Sequence, residues 1–172
     1  MLDISIADDT FLIKNIGKDS ISNIYSIYRN TCDFKYATGI FYSIRYSQFS
    51  QEISQFITRP DVFFLDICLI PSKEVIGIVK GLVVHKDKIV WVNSLVINKP
   101  YQKKGYGKKA VELLENYLKQ EFHMDKVYLS VYKTNKAGII FWEKCGYTKC
   151  DYLSEIYPDK SNELVYFMWK TL

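Results

Sequence analysis

The sequence has few of the residues that build metal sites and disulfide frameworks. It contains 4 cysteines and 2 histidines among 172 residues, and the cysteine spacing matches no zinc or Cys-x-x-Cys pattern. The two histidines are isolated, and such residues are more often surface or capping residues than metal ligands. We therefore expect no metal site and reduced cysteines in a cytoplasmic protein.

Long apolar runs and strong charge are also missing. No hydrophobic run reaches the length needed to cross a bilayer, and no basic stretch followed by an apolar one suggests a signal peptide. The formal net charge of +4 is too small to indicate a nucleic-acid-binding protein by itself. We expect a cytoplasmic protein with no membrane or nucleic-acid partner.

The composition suits one compact domain over residues 1–172. Hydrophobic residues make up 48% of the chain, which is enough for a full core. Aromatic residues make up 16%, and we interpret most of them as core filling. The tyrosine-rich stretch 36–46 has two interpretations, core packing or the lining of an acceptor site.

Hydrophobic periodicity predicts a mixed order of elements. In chain order these are a first helix from about residue 21, an irregular aromatic segment over 32–46, a helix over about 47–59, strands over 62–70, 75–84 and 89–97, a long helix ending near 122, a strand over 127–132, a helix over 136–145 and a strand over 164–169. Short links predict an antiparallel meander, and the later β-α-β crossover predicts one parallel pair. The predicted class is mixed α/β, with a mostly antiparallel sheet flanked by helices.

The most informative segment is Gln102-Lys103-Lys104-Gly105-Tyr106-Gly107, between the third strand of the meander and the long helix. A helix start presents free amides and positive potential to anions. Its glycines allow close approach to a phosphate. Neither the P-loop nor the dinucleotide fingerprint fits. The segment predicts a phosphate-binding turn, and its alternative is a plain tight turn with solvated lysines.

The sequence resembles the GNAT superfamily of N-acetyltransferases. Gln102, Gly105 and Gly107 fill its Arg/Gln-x-x-Gly-x-Gly/Ala signature directly after a central strand. A second match combines Asn135 with the run 142–147, Trp-Glu-Lys-Cys-Gly-Tyr. The resemblance covers roughly residues 75–147. It implies a twisted sheet whose parallel pair splays apart, and an acetyl-CoA-dependent transfer to an amine.

The resemblance also implies site residues. The Leu95 amide would donate to the acetyl carbonyl, and backbone amides from 103 to 108 would hold the pyrophosphate. The full set of implied acetyl-CoA contacts is Leu95, Val96, Ile97, Gln102, Lys103, Lys104, Gly105, Tyr106, Gly107, Lys108, Asn135 and Trp142. Asn135 could equally be only a helix cap, and Trp142 could be plain core, which we favour over catalysis.

The chain departs from the family where protons are handled. The family's tyrosine falls at Trp142, whose indole cannot act as an acid. Ser130 stands where members that modify ribosomal N-termini often carry Glu. No carboxylate occurs in the central strand, so no general base is assigned. Asn93, Ser94 and Tyr132 are the remaining candidates for polar catalytic roles.

These observations favour an N-acetyltransferase acting on a primary amine by direct attack in a ternary complex. The acceptor is a small-molecule or peptide amine, and we favour a small amine, because no acidic run offers a cleft for a polycation. The alternatives are a non-catalytic acyl-CoA-binding module and, ranked last, a nucleic-acid binder using the lysines between 99 and 109. A homodimer is compatible with the edge strands.

Overall fold

The computed structural model describes residues 1–151 and 164–172, and its elements alternate much as the periodicity predicts. The helices are α1 (Ile21–Arg29), α2 (Thr31–Thr38), α3 (Tyr46–Ile57), α4 (Tyr106–Phe122) and α5 (Lys136–Lys144). The strands are β1 (Ser5–Ala7), β2 (Phe11–Asn15), β3 (Val62–Leu69), β4 (Val75–Val84), β5 (Ile89–Ile97), β6 (Lys126–Tyr132), β7 (Thr148–Lys149) and β8 (Val165–Thr171).

The eight strands described form one sheet in the order β1-β2-β3-β4-β5-β6-β8-β7. Strands β3, β4 and β5 form the predicted antiparallel meander. Strands β5 and β6 are parallel, as the crossover through α4 predicts, and the other neighbours are antiparallel. The mixed α/β class with one parallel pair is therefore confirmed.

The predicted first helix is α1, but the assignment of no element to the residues before it was wrong. Two short strands precede α1, and Asp8 forms the turn between them by accepting bonds from the amides of Thr10 and Phe11, both at 2.7 Å. Strands of 3 and 5 residues are too short to show a clear alternation. Phe11 and Ile13 are fully buried, so this hairpin is nonetheless part of the core.

The prediction of an irregular segment over residues 32–46 was also wrong, because its first part is helix α2. The Asn30 side chain caps this helix by accepting from the Asp33 amide at 3.2 Å. Gly39 ends it with a left-handed φ of 74°. Only Phe34 is buried in the helix, so the sequence shows no apolar periodicity there.

The sheet has an apolar core on each face. Helices α4 and α5 cover one face, and helices α1, α2 and α3 cover the other. In α5, Trp142 is buried, as its interpretation as core expects, and so is Ile139, whereas Ile140 is 51% exposed. Gly146 follows with a φ of 90°, a left-handed turn typical of a helix end.

Two negative findings concern the residues described. None of the helices there has the length and apolar character to cross a membrane. Within the same residues, no three His, Cys, Asp or Glu side chains lie close enough together to hold a metal ion.

Candidate active site

The site begins where the two parallel strands separate. Strands β5 and β6 pair only from Ile89 opposite Lys126 to Val92 opposite Leu129. Beyond this point both strands continue, β5 to Ile97 and β6 to Tyr132, without pairing to each other. The sheet therefore opens into a wedge between the second half of β5 and the end of β6.

A β-bulge marks the start of the wedge. The β4–β5 register changes from Lys80 opposite Ser94 to Gly81 opposite Val92, so Asn93 has no partner on β4. A bulge bends its strand and increases the local twist. The bend turns the second half of β5 away from β6.

The wedge holds an open cleft with a cavity volume of about 140 Å³. Its lining comes from α2 (36–37), β5 (92–95), β6 (129–131) and the α5 region (135, 138, 141 and 142). Two candidate polar residues, Asn93 and Ser94, lie in this lining, and so does Ser130. Tyr132 does not, because its ring packs against Tyr36 and Phe41 at the mouth. No Asp, Glu or His lines the cleft in the described part of the chain.

The backbone of β5 presents polar groups to the cleft. The Asn98 amide donates to the Ile76 carbonyl at 2.7 Å, so these two opposite residues form a hydrogen-bonded pair between β5 and β4. In an antiparallel pair of strands, every second residue forms such a hydrogen-bonded pair. The backbone of Val96 therefore bonds to β4. The N–H and C=O groups of Leu95 and Ile97 point away from β4, toward the other edge of β5. Of the three predicted backbone contacts, Leu95 and Ile97 are thus the two on the open edge of β5, and Leu95 is the one that lies in the cleft lining.

The start of α4 follows β5 after a short turn that ends in glycine. Gly105 is its N-cap residue with a φ of 84° and no side chain caps the helix. Lys103 also has a left-handed φ, of 61°. A Cβ on Gly105 would meet nothing within 4 Å, so the space above this glycine is open. Free first-turn amides and a left-handed turn suit an anion, and the residues present therefore fit a pyrophosphate.

Three contacts hold this turn in place. The side-chain amide of Gln102 donates to the Ile97 carbonyl at 2.7 Å, tying the turn to the end of β5. A Cβ on Gly107 would lie 3.1 Å from the ring of Phe141, so this glycine allows α4 to approach α5 closely. The Tyr106 ring packs on Phe11, with centroids 5.8 Å apart. The motif residues 102, 106 and 107 thus position the turn.

Charge is concentrated at the same point. Three of the five clustered lysines pair with carboxylates, as Lys99–Asp33, Lys108–Glu112 and Lys109–Asp8. Lys103 and Lys104 form no ion pair with any residue that the structure describes. The uncompensated positive charge of the cluster therefore lies beside Gly105.

On the opposite wall, Asn135 and Trp142 have structural roles within the cleft lining. The Asn135 side chain caps α5 by accepting from the Gly138 amide at 3.0 Å. A Cβ on Gly138 would come within 2.3 Å of that side chain, which explains the glycine. Trp142 is 8% exposed and contacts Phe141 and Tyr147, each at 5.0 Å between centroids.

Ser94 belongs to a buried polar contact that the sequence did not indicate. Its hydroxyl donates to the Ala37 carbonyl of α2 at 2.6 Å, and the phenol of Tyr28 lies next to its side chain. Burial raises the pKa of Tyr28 well above its usual range, so this phenol stays neutral. The Ser94–Ala37 bond ties α2 to β5, and the buried Tyr28 of α1 packs beside it.

Comparison with known families agrees with this geometry. The model of the acetyltransferase (GNAT) family matches residues 22–147. The chain belongs to the GNAT acetyltransferase family. The match extends upstream of the region where the motifs resemble it, over helices α1, α2 and α3.

Curated relatives cover a shorter stretch. A probable spermine N(1)-acetyltransferase of Bacillus subtilis subsp. natto is 32% identical over 63 residues, which is 37% of this chain and 41% of that protein. The spermine/spermidine N(1)-acetyltransferase of Bacillus subtilis is 30% identical over the same length. The matched stretch thus spans about two fifths of these relatives.

Solved structures share the GNAT fold over nearly the whole chain. A spermidine N-acetyltransferase from Vibrio cholerae, in complex with CoA and spermine, has a TM-score of 0.79 at 16% identity and covers 95% of this chain and 96% of that one. A GNAT-family acetyltransferase from Bacillus anthracis has a TM-score of 0.77 at 15% identity, with 98% of both chains covered. At these identities the likeness shows the fold.

Proposed function

We propose that the chain is a single GNAT-type domain that transfers an acetyl group from acetyl-CoA to the nitrogen of a small primary amine. The observation that carries the proposal is the order of three features along β5 and the turn that follows it. A cleft opens at Asn93, an unpaired backbone edge follows at Leu95, and an uncapped glycine turn follows at Gly105. The family membership and the names of the curated relatives support the same chemistry.

The acetyl donor has a defined place in this proposal. Free amides from 103 to 108 and the side chains of Lys103 and Lys104 would hold the pyrophosphate. Leu95 and Ile97 would bind along the pantetheine arm through their outward backbone groups, and Asn135 and Trp142 would face it from α5. When bound, acetyl-CoA supplies the acetyl group as a thioester.

The residues of the cleft would act on the amine and on the developing charge. The amine nitrogen forms a C–N bond to the acetyl carbon, the C–S bond breaks, and the sulfur leaves with the electron pair as CoA. The Leu95 amide stabilises the negative oxygen. An alkylamine has a pKa of about 10.4, and since the described lining has no carboxylate, we assign its proton to water. Asn93 and Ser94 would orient the amine.

Two finer expectations remain part of the proposal. We place the activity in the cytoplasm and expect a homodimer as the working state. Gel filtration with light scattering measures the oligomeric state, and a mass of one chain, 20.2 kDa, would contradict the homodimer.

The test of the proposal is acetyl-CoA binding by calorimetry, with wild type, Gly105→Ala and Gly39→Ala compared. Both glycines have a positive φ and open space around the missing Cβ. Each substitution therefore carries a similar backbone strain of about 1–2 kcal/mol, but only Gly105 borders the proposed pyrophosphate.

We expect wild type and Gly39→Ala to bind and Gly105→Ala to bind at least about tenfold more weakly, because a methyl group would occupy the phosphate approach. Equal weakening by both variants would show a general strain effect and no pyrophosphate site at Gly105. A well-folded wild type that binds no acetyl-CoA would overturn the proposal entirely.

A further inference from the structure

Three aromatic rings meet at the mouth of the cleft. The ring centroids of Tyr36 and Phe41 are 5.8 Å apart, those of Tyr36 and Tyr132 5.7 Å, and those of Phe41 and Tyr132 5.0 Å. Tyr36 is 36% exposed and Phe41 is 47% exposed. The cluster therefore joins the α2 side of the cleft to the end of β6 and still presents apolar surface to solvent.

The cluster is continuous with the proposed reaction centre. Tyr36 and Ala37 line the same cleft as Asn93, Ser94 and Leu95, and α2 packs against both β5 and β6. An amine that approaches Leu95 from the α2 side must therefore lay the rest of its body along Tyr36 and the rings beside it.

The charges beside these rings do not suit a second ammonium group. The Asp33 carboxylate of α2 is already paired with Lys99. The ammonium of Lys35 lies 5.3 Å from the centre of the Tyr36 ring, so a protein cation already holds the cation–π position on that ring. The side chains of Asn93 and Ser94 are neutral. A ligand with one amine and an apolar remainder fits this arrangement better than a polycation.

We infer that the acceptor is a primary amine on an aromatic body, an arylalkylamine, and that Tyr36, Phe41 and Tyr132 determine this specificity. The inference rests on the proposed acetyl transfer. Aromatic side chains contribute large contact areas and favour edge-to-face pairing with a ligand ring. Phe41 is the most exposed of the three rings and has no hydroxyl, so it contributes purely apolar contact.

The experiment compares acetyl transfer from acetyl-CoA to phenethylamine, ethylamine and spermidine by the full chain. We expect kcat/KM to be highest for phenethylamine, by about tenfold or more over spermidine, since one aromatic contact and its burial supply about that factor. A higher kcat/KM for spermidine would overturn the inference and leave the acetyl transfer standing. Transfer to none of the three, by a protein that binds acetyl-CoA, would overturn the proposed activity and the inference with it.

Variants then test whether the rings are responsible. Phe41→Ala should raise the KM for phenethylamine about tenfold with little change in kcat, because it removes binding shared by the ground state and transition state. The KM for ethylamine should rise much less than the KM for phenethylamine, and Phe41→Leu should recover part of the loss. The matched control is Tyr42→Ala, because Tyr42 is adjacent, 61% exposed and outside the cluster. An equal rise in KM for ethylamine in Phe41→Ala, or for phenethylamine in Tyr42→Ala, would contradict the assignment.

Discussion

The phenol of Tyr147 donates a hydrogen bond to Oε1 of Glu115 over 2.6 Å, and Lys170 donates to Oε2 of the same carboxylate, also at 2.6 Å. Glu115 lies on α4, Tyr147 directly follows the turn after α5, and Lys170 lies on β8. One buried carboxylate therefore ties both helices of this face to the sheet, behind the wall of the cleft formed by Trp142.

Removing the phenol oxygen should destabilise the fold. Tyr147→Phe leaves Glu115 with one partner fewer in a buried position, and hydrogen bonds to charged groups contribute about 1.5–3 kcal/mol. We expect the free energy of unfolding, measured with urea, to fall by about 2 kcal/mol. Tyr117→Phe on the same helix is the control, since its ring packs on Phe122 and it takes no part in the bonds to Glu115, and we expect a change within about 0.5 kcal/mol.

The hydroxyl of Ser20 donates to Oδ2 of Asp66, and the other oxygen, Oδ1, is buried and has no hydrogen-bond partner among the described residues. Asp66 is 1% exposed, and desolvation raises its pKa above the ordinary value. A carboxyl with a raised pKa keeps its proton longer in the folded state than in the unfolded chain. Stability should therefore fall as the pH rises from the ordinary carboxyl pKa through the raised one.

Asp66→Asn should abolish this part of the pH dependence. The neutral amide cannot ionise, so we expect a flatter plot of unfolding free energy against pH above about 4 than in wild type. Asp61→Asn is the contrasting control, because Arg59 holds the pKa of Asp61 below its usual range and its contribution runs in the opposite direction. Parallel plots for wild type and Asp66→Asn would show that Asp66 does not titrate in this range.

Asn135 allows its two proposed roles to be separated. Serine and asparagine are comparable helix caps, whereas alanine costs about 1 kcal/mol at this position. We expect Asn135→Ser to retain the melting temperature and Asn135→Ala to lower it. If Asn135 also contacts acetyl-CoA, calorimetry will show weaker binding for Asn135→Ser despite its normal stability. If Asn135→Ser binds acetyl-CoA as tightly as wild type, the role of Asn135 is helix capping alone.

The sequence was most informative where structure is local. The strong periodicity of α4 and the apolar runs of β4 and β5 predicted these elements to within a residue at most ends. The glycine turn was also predictable, since it needs only a strand end, a helix start and a Gly at positive φ.

The point at which β5 and β6 separate depends on pairing between residues that are far apart in the sequence. The bulge at Asn93 is a property of the β4–β5 register. A signal for it was present in Gly81, because a Cβ there would lie 2.3 Å from the Trp91 carbonyl, and a glycine inside a strand often marks a bulge. The Tyr28–Ser94 contact and the ring cluster at Phe41 join segments far apart in the chain, so periodicity could not place them.

The two lysines beside Gly105 that form no ion pair with a described residue should strengthen acetyl-CoA binding through their charge. Lys103→Gln and Lys104→Gln each remove one positive charge near the proposed pyrophosphate, where such a charge contributes about 0.3–1 kcal/mol. We expect acetyl-CoA affinity to fall by about two- to fivefold for each variant, and the loss to shrink at high salt as screening increases. Lys86→Gln, at the opposite end of β5, is the charge-matched control and should bind like wild type. Equal losses in all three variants would point to net charge alone, and the local assignment of Lys103 and Lys104 would then be wrong.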